Sequence, residues 1–221
     1  MNNSIFITGT DTNIGKTFVS LGIALFLKNK GKKIGYFKPF QSGAYEKNNE
    51  LIAPDIEEFK QYPDIKTKCS YLLQGEVSPH LASILSNVKI DINKIKKDFN
   101  DFSKTNDYTI IEGAGGLYCP AYENKTFADV INFLNQEIII VTTPELGKLN
   151  HVLMTIDCAK NKNIKIKGLI INKMPQNPTL SEKNFVQELK MYSNEKIIGI
   201  IPKIQNPSEN EIIKAFCEIN L

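Results

Sequence analysis

The sequence predicts a doubly wound α/β fold, a mainly parallel sheet flanked by helices on both faces. Three observations carry that expectation. Short apolar runs alternate with stretches of helical period along the whole chain, the pattern of repeated strand–helix–strand units. The first run, Ile5-Phe6-Ile7, leads into a glycine-containing loop and then into the apolar, helix-like stretch Phe18 to Leu27. Polar or glycine-rich residues also gather just after the runs, and open parallel sheets bind ligands at the carboxyl ends of their strands.

In chain order, strands are predicted at Ser4–Thr8, Lys33–Phe37, Tyr108–Glu112, Glu137–Thr143, Lys167–Asn172 and Lys196–Ile201. Each is a short run centred on isoleucine, valine, leucine, phenylalanine or tyrosine. Helical patterns fill Lys16–Asn29, Asp55–Gln61, Pro79–Leu85, Ile92–Thr105, Thr126–Asn135, Lys148–Lys162, Leu180–Tyr192 and Ser208–Glu218. The strand ends are polar: Lys38-Pro39-Phe40-Gln41-Ser42-Gly43 after the second, Glu112-Gly113-Ala114-Gly115-Gly116 at the third, Thr142 to Gly147 after the fourth. Asn172-Lys173 and Pro202-Lys203 end the fifth and sixth. All would surround one cleft.

Residues 9–17 read Gly-Thr-Asp-Thr-Asn-Ile-Gly-Lys-Thr. A strand, a glycine loop ending in Gly-Lys-Thr and a helix make the arrangement that holds a nucleoside triphosphate. Backbone N–H groups wrap the phosphates, and the helix N-terminus adds its partial positive charge. The segment facing the nucleotide is Asn13, Ile14, Gly15, Lys16, Thr17 and Phe18. Lys16 would reach the β- and γ-phosphates, and the Thr17 hydroxyl would hold Mg²⁺. The loop is longer than the common form: five residues, 10 to 14, separate Gly9 from Gly15, where four are usual.

At 221 residues the chain is read as one domain, 1–221, with room for a substantial core. Hydrophobic residues at 42% and charged residues at 23% describe a soluble globular protein. No repeat, low-complexity tract or Pro/Ser-rich linker divides it. Neither a basic-then-apolar leader nor a membrane-length apolar run is visible, so a cytoplasmic protein with no membrane association is expected. Cys69, Cys119, Cys158 and Cys217 are widely spaced, and His80 and His151 are the only histidines, which disfavours a zinc site.

All 27 basic residues are lysines, scattered or on presumed helix ends, and the net charge is +3. A solvated surface is expected, not a nucleic-acid face. Without arginine, neither this chain nor an identical subunit can supply an arginine finger, so any side-chain cation at a phosphoryl-transfer transition state must be a lysine. Lys38, before Pro39 in extended backbone, is either an edge lysine or a fixed ammonium aimed at the triphosphate; the missing arginine favours the second. Ser42 follows in a glycine-containing turn, where its hydroxyl could place a polar substrate group.

Glu112 ends its strand where a metal-binding acid sits in this class of fold. The glycines after it let backbone approach a ligand. Asp55 opens a helix, and capping that helix is compatible with metal binding. Asn172 could read adenine with its amide or simply form a turn. Gly147-Lys148-Leu149-Asn150 starts a helix whose N-terminus could hold a carboxylate or be an ordinary capped end.

Together these pieces resemble the dethiobiotin synthetase family. The matching blocks are residues 9–17, Lys38-Pro39-Phe40-Gln41-Ser42-Gly43, Ser78-Pro79-His80, Glu112-Gly113-Ala114-Gly115-Gly116 and Gly147-Lys148-Leu149-Asn150-His151, in the family's order. The resemblance implies a homodimeric, Mg²⁺- and ATP-dependent ligase of the P-loop NTPase type. Its substrates would be 7,8-diaminononanoate, CO₂ and ATP, and its intermediates a carbamate and a carbamic–phosphoric mixed anhydride. It further implies a Mg²⁺ site of Thr17, Asp55 and Glu112, with catalytic Lys16, Lys38 and Thr12 and with Ser42 helping to place the reacting groups. The diamine would lie beside Gly115, Gly116 and Leu117. Its tail carboxylate would be gripped by Gly147, Lys148, Leu149 and Asn150, across the dimer interface. Adenine would meet Asn172, Pro202 and Lys203.

Two departures stand out. Asn13 occupies a position where many members carry an acid or another polar residue. The short segment after Pro202 leaves a purine pocket that would admit GTP as well as ATP. Three other classes fit less well. Dimeric switch ATPases carry a second lysine five places before the Gly-Lys-Thr lysine, and Asp11 stands there in this chain. Amide-forming synthetases usually need a glutamine-hydrolysing domain, for which there is no room. Small-molecule kinases would be expected to use arginines.

Overall fold

A computed structural model describes residues 3–221. The chain runs β1 (Asn3–Gly9), α1 (Lys16–Asn29), β2 (Ile34–Lys47), β3 (Glu50–Ile52), α2 (Pro54–Lys60), β4 (Lys66–Gln74), α3 (Pro79–Leu85), α4 (Ile92–Ser103) and β5 (Tyr108–Glu112). It continues through β6 (Pro120–Tyr122), β7 (Lys125–Thr126), α5 (Phe127–Leu134), β8 (Ile138–Thr142), α6 (Lys148–Asn161), β9 (Ile166–Met174), α7 (Leu180–Tyr192), β10 (Ile197–Pro202) and α8 (Glu209–Phe216). The main sheet has the order β10-β9-β8-β1-β5-β2, with β4 parallel to β2 and the short β3 antiparallel to the far end of β2. Every other pairing in it is parallel. The predicted doubly wound sheet is therefore present, with β1 at its centre.

Strand alternation sends side chains to two cores, one on each face. Phe6, Phe37 and Ile111 enter the core covered by α4, α5, α6 and α7. Ile5, Ile7, Tyr36 and Ile110 enter the other, under α1, α2 and α8. Parity then fixes the chemistry: Lys38 and Glu112, two residues beyond Tyr36 and Ile110, project toward α1. Helix α1 is buried from Val19 through Phe26, wedged between the sheet and α8.

Several sequence expectations need correction. Strand β2 does not end at Phe37 but continues to Lys47, so Lys38 and Ser42 lie within a strand rather than in a turn after it. Pro39 is tolerated because the β2–β5 ladder ends at Phe37, and no bond to β5 is lost beyond it. Strand β4 and the hairpins β2–β3 and β6–β7 were not expected. Six consecutive residues of β4, Thr67 to Leu72, are half-buried, so an edge strand with no apolar alternation leaves little sequence signal. Helix α2 begins at Pro54 with Ala53 as its cap, so Asp55 lies in the first turn and is not the N-cap. Among the described residues, no helix is long and apolar enough to cross a membrane.

Gly22 sets the approach of α1 to α8. A Cβ there would fall 2.2 Å from ring carbons of the fully buried Phe216. Gly22→Ala should lower stability by about 1–3 kcal/mol through overpacking, read as an earlier urea midpoint at unchanged slope. A gain in stability would show that Phe216 has room to move.

Candidate active site

The phosphate loop is built on two left-handed residues. Asn13 has φ 56° and Gly15 φ 86°. Glycine is required at 15 for a second reason, since a Cβ there would lie 2.3 Å from Asn172 Nδ2. Three side chains, two from the end of β9 and one from the start of α6, brace the loop. Asn172 Nδ2 donates to the Ile14 carbonyl (2.9 Å), Lys173 Nζ to the Asn13 carbonyl (2.6 Å), and Lys148 Nζ pairs with Asp11 Oδ2 (2.8 Å). The Lys148 contact, with the Thr12 N–H, holds the Asp11 carboxyl below its ordinary pKa. Lys16 is buried and donates to the Asp11 carbonyl at 2.9 Å. Burial, chiefly, lowers its pKa.

At the floor of the cleft Lys38 bridges two acids. Its side chain is 3% exposed, and its Nζ lies 3.0 Å from Glu112 Oε1 and in contact with Asp55 Oδ2. Burial opposes its charge, but Glu112 and Asp55 prevail and raise its pKa above that of an ordinary lysine. For Asp55 burial also opposes ionisation, and Lys38 outweighs it, so the carboxyl is held below its usual range. Thr17 Oγ1 completes the group, 2.9 Å from Glu112 Oε1 and 3.3 Å from Asp55 Oδ1.

Two carboxylates and a hydroxyl converging on one point are hard oxygen donors, the set that suits Mg²⁺ together with phosphate oxygens and water. The closeness of Lys38 to both acids shows that this point calls for positive charge. The residues therefore fit the metal that the sequence implied.

A cavity of about 550 Å³ contains Thr12, Asn13, Gly15, Lys16, Thr17, Lys38, Ser42, Asp55, Glu112 and Gly115. An adjoining, mostly apolar cavity of about 480 Å³ is lined by Gly116, Leu117, Tyr118, His151 and Met154 and shares Thr12 and Gly115 with the first. The structure thus gathers the phosphate, acid, lysine and glycine residues singled out in the sequence. Other residues lie beside these cavities or away from them. Ile14 is buried under the loop, and the Phe18 ring packs edge-on against Phe216. Pro202 ends β10 and Lys203 follows it, both exposed and tied to β9 through Lys203 N–H to the Met174 carbonyl. Gly147 caps α6 in a left-handed conformation, Lys148 reaches the loop, Leu149 packs on the core, and Asn150 is exposed.

The sequence places Gln41 and Lys173 at strand ends around the cleft but gives neither a role. The buried Gln41 accepts from the Asp55 N–H (3.3 Å) and so helps to seat α2. A polar residue two places before Gly43, in an otherwise buried run, was the available signal. Lys173 stands at a strand end facing the cleft, but nothing in the sequence sets it apart from the other lysines as a brace of the loop.

Comparison with known proteins bears on the family and the fold. A family model described as an AAA domain matches residues 3–210. Proteins named ATP-dependent dethiobiotin synthetase are similar over most of the chain. That of Clostridium novyi is 34% identical, covering 100% of this chain and 96% of the relative. That of Clostridium perfringens is 35% identical, covering 93% of each. That of Clostridium botulinum is 38% identical over 80% of this chain and 81% of the relative. Among solved structures, the septum site-determining protein MinD of Pyrococcus horikoshii, complexed with Mg-ADP, aligns with a TM-score of 0.63 at 15% identity, covering 97% of this chain and 94% of that one. A ParA family ATPase from Chlorobium tepidum aligns at 0.61 with 13% identity, covering 97% and 90%. At such identities the likeness is one of fold, that of the P-loop NTPases.

Removing Lys38 would leave two carboxylates facing each other in a buried site. In metal-free buffer, Lys38→Ala should destabilise the protein by about 3–5 kcal/mol, measured by urea unfolding. A loss under about 1 kcal/mol would mean that water or protons replace the ammonium.

Proposed function

The chain belongs to the ATP-dependent dethiobiotin synthetase family, and from that premise we propose that its two adjoining cavities close the ureido ring on 7,8-diaminononanoate, CO₂ and ATP. The observation that carries this reading is the meeting of a triphosphate-sized polar cavity and an apolar one at Thr12 and Gly115, with Lys16 and Lys38 in the polar side. A phosphoryl donor and an aliphatic diamine would meet there.

The chemistry needs no protein nucleophile. One amine nitrogen attacks the carbon of CO₂ and releases a proton, giving a carbamate. A carbamate oxygen attacks the γ-phosphorus of ATP, the bond to the β–γ bridging oxygen breaks, and ADP leaves with its electrons. The second amine attacks the carbamoyl carbon of the mixed anhydride, loses a proton and expels phosphate. Every reacting partner in the phosphoryl step is anionic, so the protein's task is to offset repulsion and fix positions. Lys16, on leaving the Asp11 carbonyl, would serve the transferring phosphoryl group. Lys38 would meet the carbamate, with the Thr12 and Ser42 hydroxyls orienting both. Thr17, Asp55 and Glu112 would hold Mg²⁺, which, when bound, neutralises phosphate charge as a Lewis acid.

The backbone at Gly115, Gly116 and Leu117 would lie along the diamine, and the apolar cavity would take its methylene chain. The N-terminus of α6, Gly147 to Asn150, would receive the tail carboxylate of the substrate bound to a second subunit. Exposed apolar side chains support such a homodimer: Leu81, Ile84 and Leu85 on α3, Leu146 just before α6 and Met154 midway along it. We place the enzyme in the cytoplasm, with its metabolite substrates.

For the base we favour ATP over GTP. Asn172 spends its amide N–H on Ile14, and its Oδ1 is buried without a hydrogen-bond partner among the described residues. A free acceptor suits the 6-amino group of adenine, whereas guanine presents an oxygen at that ring position.

Mass spectrometry of the protein with 7,8-diaminononanoate, bicarbonate and MgATP tests the reading. Dethiobiotin should accumulate one-for-one with ADP, and GTP should be poorer by about tenfold or more at limiting concentration. ADP without dethiobiotin would overturn the substrate assignment, and equal use of GTP would remove Asn172 from base selection.

A further inference from the structure

Glu112 divides its carboxylate between two sets of partners. Oε1 faces the cleft, toward Thr17 Oγ1 at 2.9 Å and Lys38 Nζ at 3.0 Å. Oε2 faces the protein interior, where it accepts from Ser20 Oγ at 2.7 Å and Tyr36 OH at 3.0 Å. Ser20 and Tyr36 are both fully buried, and neither lines the cavities. The reaction described above uses neither.

Their spacing is regular. Three of the elements that bring residues to this point carry a supporting residue on the same face. Thr17 and Ser20 are three apart on α1, Tyr36 and Lys38 two apart on β2, and Asp55 and Phe59 four apart on α2. The Tyr36 ring stacks on Phe59 with centroids 3.9 Å apart and planes 17° from parallel. One side chain therefore touches both acid-bearing elements, its hydroxyl on Glu112 and its ring on the helix of Asp55.

A carboxylate with one unbound oxygen can rotate and offer a cation one oxygen or two. Two donors fixed on Oε2 remove that freedom. Mg²⁺ tolerates little departure from octahedral coordination, and outer hydrogen bonds that orient its ligands typically matter 10- to 100-fold in metal affinity. We propose that Ser20 and Tyr36 are positioning residues of the cation site, holding Glu112 so that Oε1 alone is presented beside Thr17 and Asp55. Tyr36 also keeps α2, and with it Asp55, in register through Phe59. The proposal rests on the reading of Thr17, Asp55 and Glu112 as the Mg²⁺ ligands.

The test is a Mg²⁺ titration of fluorescent ADP-analogue binding, with parallel measurement in EDTA. Tyr36→Phe removes the hydroxyl and keeps the stack; Ser20→Ala removes the other donor from a different element. Each should raise the half-saturating Mg²⁺ concentration by about 10- to 100-fold, with metal-free nucleotide affinity unchanged. Equal weakening with and without Mg²⁺ would reduce both residues to a packing role and overturn the proposal. Glu112→Gln separates the two levels. If it shifts the titration while Tyr36→Phe and Ser20→Ala do not, the positioning role fails and the ligand reading stands. If Glu112→Gln shifts nothing, the ligand reading itself fails.

Discussion

The buried ammonium of Lys38 between Asp55 and Glu112 is the interaction on which the cleft depends. Two carboxylates, one of them only 1% exposed, would repel each other and lose their solvation without a cation between them. The arrangement also fixes the backbone: β2 must run past Phe37 to carry Lys38, β5 must end at Glu112, and α2 must begin just before Asp55. Three separate elements are thus held to one point by charge. On the proposed reading, a cation held by Asp55 and Glu112 would release the Lys38 ammonium from them to turn toward the substrate.

The phosphate loop follows a similar logic with lysine in place of arginine. Lys173 and Lys148 hold the loop backbone and Asp11, while Lys16 folds back onto the Asp11 carbonyl. This separates the chain from the switch ATPases whose fold it shares. At the position of those proteins' expected second loop lysine, Asp11 stands here, and its carboxylate is committed within the same chain to Lys148. The loop is fastened to α6 through Lys148, so on the proposed reading of α6 as the holder of the substrate's tail the two sides of the cleft would be joined.

Much of this was legible in the residues. The limits of α1 follow from Gly-Lys-Thr and an unbroken apolar period, and Glu112 ends β5 as its apolar run predicts. The dethiobiotin synthetase resemblance agrees with relatives that are similar from one end of the chain to the other. What escaped notice was structure held by long-range pairing. The half-buried β4 is a strand only because β2 offers it an edge, and the continuation of β2 past Pro39 depends on where β5 stops. Nothing in the sequence marks Ser20 or Tyr36, because their partner, Glu112, is 92 and 76 positions away. Of the two readings of Asn172, adenine reader and turn former, the second fails because the residue lies inside β9, with its amide bracing Ile14.

The central claim is that the cleft directs a carbamate oxygen onto the γ-phosphorus of ATP. Oxygen-18 tracing tests it most directly, with labelled CO₂, 7,8-diaminononanoate and unlabelled MgATP in short incubations. The account predicts one label-derived oxygen in each phosphate released with dethiobiotin, because the oxygen that attacks phosphorus leaves with it. Phosphate carrying no oxygen from CO₂ would contradict the account and require a different acceptor for the phosphoryl group.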